Sequence, residues 1–427
     1  MLRKAAAAFS IIAVAATLVS AEVSFDTLNK TSLQQEISAL DISVPSVAVA
    51  EDTGASFKAD KEWTIMVFIN AKNNLEKYGL LDVNEMEKVG SSDKVNIVVE
   101  IGRINGYATN DGDWKTTRRY FVQKDNDFSK ITSPMLADLG KTDMGDYKSL
   151  VNFVKWAKMT YPAKKYALIV WNHGSGWDKS RAGDVTKGIS YDDETGNHIT
   201  TPQLGQALKE MGGVDVYGSD ACLMQMPEVT YEIKDYTTYI VGSEETEPGD
   251  GYTYDLWLGP VVAKGNMTPY ELGKQAVDGY SDHYQSIGQG STQSLLKTDT
   301  LSGFVPLVND FVTATIAAGE KALVKTAASG AQAYAVYDNK DMGHFFDRYA
   351  AATQNADVKA KALALKAYID GTLIVHNRVN GRYANGNSHG IAGYMPGYSF
   401  NNDYNNLAWA KASQWDELVK WYQTKDE

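Results

Sequence analysis

The chain has a single cysteine, Cys222, among 427 residues. One thiol excludes any intrachain disulfide, and in an oxidising compartment a lone thiol must be buried or used. Positive charge is also scarce. There are 41 Lys and Arg residues against 53 Asp and Glu, a net charge of −12. That balance excludes the basic footprint expected of a nucleic-acid binder and favours approach by cationic partners, Lys- or Arg-rich peptides among them. Only six histidines are present, and none stands in a His-Glu-x-x-His or comparable metal-ligand spacing. Past the N-terminus no stretch reads as long and apolar enough to span a bilayer. No internal repeat is found.

What is present begins with "MLRKAAAAFSIIAVAATLVSA". Arg3 and Lys4 precede an apolar run that ends in the small-residue pattern Val19-Ser20-Ala21. This reads as a secretory signal peptide over residues 1–21, cleaved after Ala21, which places the mature chain outside the cell or in the periplasm with no membrane attachment. No cysteine follows the run, so a lipoprotein anchor is not expected. Residues 22–60 mix small, polar and charged types without a period and read as a pro-segment or linker.

From Trp63 onward, apolar runs alternate with amphipathic stretches. "WTIMVFINA" (Trp63–Ala71), "KVNIVVEIG" (Lys94–Gly102), "KYALIV" (Lys165–Val170), "VDVYGSDAC" (Val214–Cys222) and "TTYIVGSEE" (Thr237–Glu245) read as strands, and "RRYFVQK" (Arg118–Lys124) as an edge or hairpin strand. Helices are expected from about Asn73 to Gly90, over Tyr147–Pro162, over Thr201–Gly212 and over Met226–Tyr236. The pattern predicts an α/β fold with a mostly parallel sheet and helices on both faces, over residues 61–290. Beyond about Gly290 the texture changes, and residues 291–427 read as a smaller C-terminal α+β domain.

In such sheets the chemistry sits at the carboxyl ends of the strands. Three segments fall there: Asn172–Gly176, Ser219–Cys222 and Ser243–Gly251. The first lies in "WNHGSGW" (Trp171–Trp177), where His173 follows a buried strand. Cys222 occupies the same position one helical crossover later. The fold therefore brings the only cysteine and this histidine to one edge. A thiolate is the nucleophile of thiol chemistry, and a neighbouring imidazole can take its proton and later protonate a leaving amine. The N–H of Gly174, next to the histidine, and that of Cys222 itself are the candidate oxyanion donors. Ser175 lacks the Gly-x-Ser-x-Gly elbow of a serine nucleophile.

"HGSGW" followed by "DAC", on alternating strands and helices, resembles the cysteine peptidases of the caspase-like clan. The stretches "WTIMVFINAKNNLE", "NEMEKVGSSDKVNIVVEIGR", "WNHGSGW", "GSDACLM" and "SEETEPGDGYTYD" resemble the clostripain family in particular, from Trp63 to the C-terminus. The caspase Gln-Ala-Cys signature is matched only at Ala221-Cys222. The resemblance implies a catalytic dyad of His173 and Cys222 and cleavage after Arg or Lys, with Asp220 and Asp250 forming the basic-residue pocket. Paired carboxylates suit a guanidinium or ammonium. Ser243 is expected among the substrate contacts, with Glu244, Glu245 and Glu247 as neighbours of lesser weight. The resemblance also implies self-cleavage in the segment Asp178–Asp193; Lys187–Gly188 is favoured, because glycine follows the cut and the strand "GISY" begins there, with Arg181–Ala182 second.

No cofactor is required by this reading. The acidic stretch "YDDETGN" (Tyr191–Asn197) misses the EF-hand pattern, and a structural calcium ion is left open and unplaced. The expected partners are protein or peptide substrates with Arg or Lys at P1, the residue on the acyl side of the cut bond. The chain is expected to be a monomer. The competing reading is a secreted non-catalytic binding protein, with its 25 Tyr and 9 Trp lining a glycan platform.

Overall fold

The computed structural model describes residues 61–177 and 188–424. The signal peptide, the pro-segment, and the cleavage positions Arg181 and Lys187 lie outside the described residues.

Thirteen strands are formed among them. They are β1 (Lys61–Ala71), β2 (Val95–Arg103), β3 (Thr117–Phe121), β4 (Met135–Asp138), β5 (Ala163–Trp171), β6 (Ile189–Asp192), β7 (Asn197–Ile199), β8 (Val214–Asp220), β9 (Thr237–Gly242), β10 (Ser291–Lys297), β11 (Asn339–Asp341), β12 (Ile374–Asn380) and β13 (Ala392–Tyr394). Nine of them build one sheet in the order β12-β10-β9-β8-β5-β1-β2-β3-β4. The five central strands, β9 to β2 in that order, are parallel. Antiparallel strands close both sides: β3 and β4 beyond β2, and β10 and β12 beyond β9.

The central strands are apolar on both faces because both faces are covered. On β1, Ile65, Val67 and Ile69 enter one core, with Val99, Ile169 and Val216 from neighbouring strands. The helices Glu76–Val89, Tyr254–Lys264 and Pro269–Ser286 complete that layer. Met66 and Phe68 point the other way, into a second core with Leu168, Val170 and Tyr217. The helices Tyr147–Thr160 and Thr201–Glu210 and most of the chain beyond Leu301 cover that face. Two-residue alternation thus feeds two cores from one continuous run. The helix starts are chemically marked. Thr200 and Thr268 each form a capping box with Gln203 and Glu271, and each is followed by a proline within the first turn.

Two expectations are revised. The sheet does not end near residue 290. Strands β10 and β12 are its continuation, and the second core contains residues from Met66 to Tyr422. The segment Thr298–Ala318 is by length and composition long and apolar enough to cross a membrane, against the expectation that none is. Its apolar stripe is used inside the protein: Leu301, Phe304, Val308, Phe311 and Val312 are buried in the second core.

Candidate active site

The carboxyl ends of β5 and β8 lie side by side, with Trp171 in register with Asp220. The chain leaves β5 into Asn172–Trp177 and leaves β8 into Ala221–Met226. His173 and Cys222 therefore emerge from adjacent strands at one edge. Both are buried.

The histidine loop is held on all sides. Trp171 donates from Nε1 to Asp82 Oδ2 at 2.6 Å and anchors the loop in one core. Trp177 packs edge-on to Tyr394 and Tyr404, at 4.7 and 4.8 Å between ring centroids, and anchors it in the other. The Asn172 side chain donates to the Asn70 carbonyl and accepts from the Tyr191 N–H at 2.8 Å. Ser175 and Tyr191 share a hydroxyl–hydroxyl bond of 2.7 Å. Gly174 is a matter of space. A Cβ there would sit 2.4 Å from the Cys222 carbonyl oxygen and 3.1 Å from its nitrogen. Only glycine lets the histidine loop lie this close to the Cys222 backbone. Gly174 also bridges Ile189, through the Ser175 N–H donating to the Gly188 carbonyl at 3.0 Å, so that bridge does not use the Gly174 N–H.

His173 Nε2 lies 2.7 Å from Asn74 Oδ1. An amide oxygen can only accept, so Nε2 carries the proton and the buried Nδ1 is the basic nitrogen. Asn74 follows β1 at the same sheet edge, and it holds the His173 ring from the side of Nε2. Sequence reasoning did not reach it, although "AKNNLE" directly follows a strand end. As a positioning residue it supports a specific prediction. Asn74→Ala should lower kcat about tenfold, on the order of one lost hydrogen bond, with KM nearly unchanged. Asn74→Asp, which also accepts from Nε2, should restore most of the rate and move the acid limb of the pH profile upward. Equal loss in both variants, without a shift in that limb, would remove Asn74 from this role.

Cys222 Sγ receives a hydrogen bond from the Glu247 backbone N–H at 3.3 Å. A donor aimed at the sulfur complements a thiolate electrostatically. The next residue, Leu223, has φ +65°, a left-handed conformation that side chains rarely adopt and that costs on the order of 1–3 kcal/mol. The neighbouring loop after β9 over-determines it. Leu223 N–H donates to the Glu245 carbonyl at 3.1 Å, and Gln225 N–H to the Ser243 carbonyl at 3.0 Å.

The expected pocket residues separate. Asp220 is buried; Tyr254 Oη donates to Oδ2 at 2.8 Å and the Tyr252 N–H to Oδ1 at 3.2 Å. Burial pushes its carboxyl up to about 7 against these bonds. Asp250 is exposed, 3.6 Å from His283 Nε2. Asp82 is buried too, and its carboxyl is pushed well up by burial and by the Asp220 charge. Asp82, Glu85 and Asp250 line a cavity of about 360 Å³ together with Tyr78 and Phe128. Burial and Asp255 push Glu85 up to about 7. Neither Asp82 nor Glu85 stood out in the sequence, because on the helix Glu76–Val89 they read as an ordinary polar face.

Ser243 lies inside the loop after β9. It is fully buried, and its hydroxyl bonds the Glu245 carbonyl and Thr292 Oγ1, both at 2.9 Å. Glu244 and Glu245 turn away, toward the later chain. Burial and the Asp341 charge push the Glu244 carboxyl well up, and Glu245 accepts from Tyr383 Oη and the Ala335 N–H. In the acidic turn weighed for calcium, the Asp192 carboxylate accepts from the chain itself. Asp192 accepts from the Glu194, Thr195 and Met144 N–H groups and lies 3.7 Å from Lys72 Nζ. Among the described residues no group of three His, Cys, Asp or Glu side chains is arranged to hold a metal ion.

Residues 67–422 match the family model described as the clostripain family. The chain belongs to this family. It is 28% identical over 227 residues to clostripain of Hathewaya histolytica, an alignment covering 47% of this chain and 42% of that protein. The chain thus spans less than half the length of that curated relative. The fold is similar to a secreted C11 cysteine protease from Bacteroides thetaiotaomicron in complex with an irreversible peptide inhibitor. That match has a TM-score of 0.64 and 18% identity, and covers 83% of this chain and all of the other. An inactive zymogen C11 protease from Parabacteroides distasonis is similar at a TM-score of 0.60 and 18% identity, covering 84% of this chain and all of that one.

Proposed function

We propose that this clostripain-family chain is an exported cysteine endopeptidase that cuts peptide bonds after Arg or Lys, with Cys222 as nucleophile and His173 as its base. The observation that carries the reading is the shared strand edge: a histidine with a fixed tautomer, and the chain's sole thiol, whose sulfur accepts a backbone N–H.

The chemistry follows from the residues. His173 Nδ1 accepts the Cys222 proton, and the thiolate attacks the scissile carbonyl carbon. The resulting oxyanion is met by the N–H groups of Gly174 and Cys222. His173 then gives its proton to the leaving amine and the carbon–nitrogen bond breaks, leaving a thioester. A water loses its proton to His173 and attacks the thioester, and the acid and free thiol are released. Asp220, with Asp250 and Asp82 nearby, supplies the negative field that selects a basic P1 side chain. Secretion is supported by the N-terminal pattern and by the description of the Bacteroides relative as secreted.

The test is a panel of fluorogenic peptides ending in Arg, Lys, Gln and Asn, run before and after thiol alkylation. Hydrolysis of the Arg and Lys peptides alone, abolished by the alkylator, is the expected result. Activity that survives alkylation would overturn the mechanism. No hydrolysis at all, with retained glycan binding, would favour the non-catalytic reading.

Activation by self-cleavage belongs to the same proposal. The segment carrying Arg181 and Lys187 joins two anchored points, Trp177 and Gly188. Ser175 and Gly188 hold each other by two hydrogen bonds, of 3.0 and 3.1 Å, so a cut at Lys187–Gly188 would free one end of the chain beside the histidine loop. Intact mass and N-terminal sequencing should find wild type cut there, and Cys222→Ala intact. A fully active wild type that stays uncut would sink the idea.

A further inference from the structure

The cavity of about 360 Å³ is built on one face of the helix Glu76–Val89. Tyr78, Leu81, Asp82, Glu85 and Lys88 follow one another at three- and four-residue spacing, and all of them line it. Phe128 and Asp250 line it from other parts of the chain. Leu81 and Phe128 are exposed, so the cavity has apolar walls open to solvent, with carboxyls from Asp82, Glu85 and Asp250. Such a slot suits a side chain with an aliphatic stem and a cationic head. The chain supplies one such head itself. Lys88 Nζ stands 5.3 Å from the centre of the Phe128 ring and 2.9 Å from Asp255 Oδ2.

Three contacts tie this cavity to the dyad. Tyr254 joins Glu85 to Asp220: its N–H donates to Glu85 Oε2 at 2.9 Å and its hydroxyl to Asp220 Oδ2 at 2.8 Å. Asp220 stands two residues before Cys222. Asp82 accepts from Nε1 of Trp171, two residues before His173, at 2.6 Å. Gly251, next to Asp250, has its backbone against Asp220, and a Cβ there would lie 2.8 Å from Oδ1. The carboxyls differ in depth. β1 and β2 are parallel neighbours, so the helix between them runs back from the carboxyl edge of the sheet. Glu85 therefore lies three residues, about 4.5 Å, further from that edge than Asp82. An arginine carries its charge one bond further from the backbone than a lysine, and in a planar fork that two carboxylates can meet, whereas an ammonium is a compact point charge.

We propose that Glu85 is a specificity-determining residue of the P1 pocket: it meets the guanidinium of an Arg substrate at a depth that a Lys ammonium does not reach, so the enzyme prefers Arg to Lys. This rests on the basic-P1 reading. Asp220 and Asp250 attract either base, and the step from Asp82 to Glu85 separates the two. The Tyr254 N–H fixes the Glu85 carboxylate from one side, so it meets the substrate in a set position. Tyr78 and Phe128 offer aromatic surface to a guanidinium plane.

The measurement is kcat/KM of the mature full-length enzyme on peptides that differ only at P1, as Arg, Lys or Gln. Wild type should favour Arg over Lys at least about tenfold. Glu85→Gln keeps the shape and an oxygen to accept from the Tyr254 N–H. It should lower the Arg rate about thirtyfold, the scale of one charge-assisted hydrogen bond, and the Lys rate less than about threefold. If Glu85→Gln does not fold, Glu85→Asp is the second variant. It retains the charge, draws it back by one methylene, and should also lose more on Arg than on Lys. Equal loss on Arg and Lys would show that Glu85 acts only through the general field or through Tyr254, and unchanged rates would take it out of the pocket. Either result overturns the inference, as does a wild type that cleaves Lys as fast as Arg, and all three leave the pocket basic-specific. If wild type cleaves neither Arg nor Lys better than Gln, the basic-P1 reading itself fails and this inference with it.

Discussion

Cys222→Ala should leave no measurable peptide hydrolysis, a loss of at least about 10³-fold, while the fold survives. The side chain is fully buried in the second core, so truncation removes one sulfur from a packed site and one weak acceptor from the Glu247 N–H. A buried single-atom deletion costs on the order of 1 kcal/mol, small beside the nine-stranded sheet that frames it. A modest drop in melting temperature with complete loss of activity is therefore the expected pair of readings. His173→Ala should lose nearly as much, because thiol and imidazole act as one unit and their effects do not add. The double variant should be no worse than either alone. Wild-type turnover in Cys222→Ala would refute the mechanism outright, since the chain contains no other thiol.

The parts of this site that the sequence disclosed are those carried by apolar runs. Strands β1, β2, β5, β8 and β9 each carry an apolar run, and their ends could be placed within about three residues. Once their order was inferred, His173 and Cys222 fell on adjacent strands without further information. Strand β10 is different. Ser291, Thr292, Gln293 and Ser294 are all buried, yet they read as polar. Their burial depends on partners far away in the chain: Thr292 with Ser243, Ser294 with Gln225 and Gly390. Such a strand has no apolar signature, and so residues beyond 290 looked like a separate unit. The same blindness hid Asn74 and Asp82. A polar residue's importance lies in what it faces, and period and composition do not record that.

Asp220→Asn should collapse the preference for Arg over Gln at P1. Asparagine keeps the shape, and its Oδ1 can still accept from the Tyr252 N–H or Tyr254 Oη, so the pocket wall should stand. What is lost is the charge. A P1 guanidinium entering a desolvated site without its carboxylate costs on the order of 2–5 kcal/mol in transition-state binding, or roughly 30- to 4,000-fold in kcat/KM. The Gln substrate makes no such demand and should change little, so the ratio of the two is the reading to take. Its pH dependence has a definite sign. Burial raises Asp220 to about 7, so in wild type the preference for Arg should grow as pH rises from 6 to 8 and the carboxylate forms. The Asn variant should lack that growth. Stability should move the other way. A carboxyl raised on folding stabilises the native state while it is protonated, and that contribution is lost as pH rises from the unfolded value near 3.8 through about 7. At pH 8 the variant no longer buries a charge and should melt higher than wild type, while at pH 4 the two should be closer. A variant that melts higher at pH 8 yet keeps the wild-type Arg-to-Gln ratio would show that Asp220 is a buried acid of the scaffold and not part of the pocket.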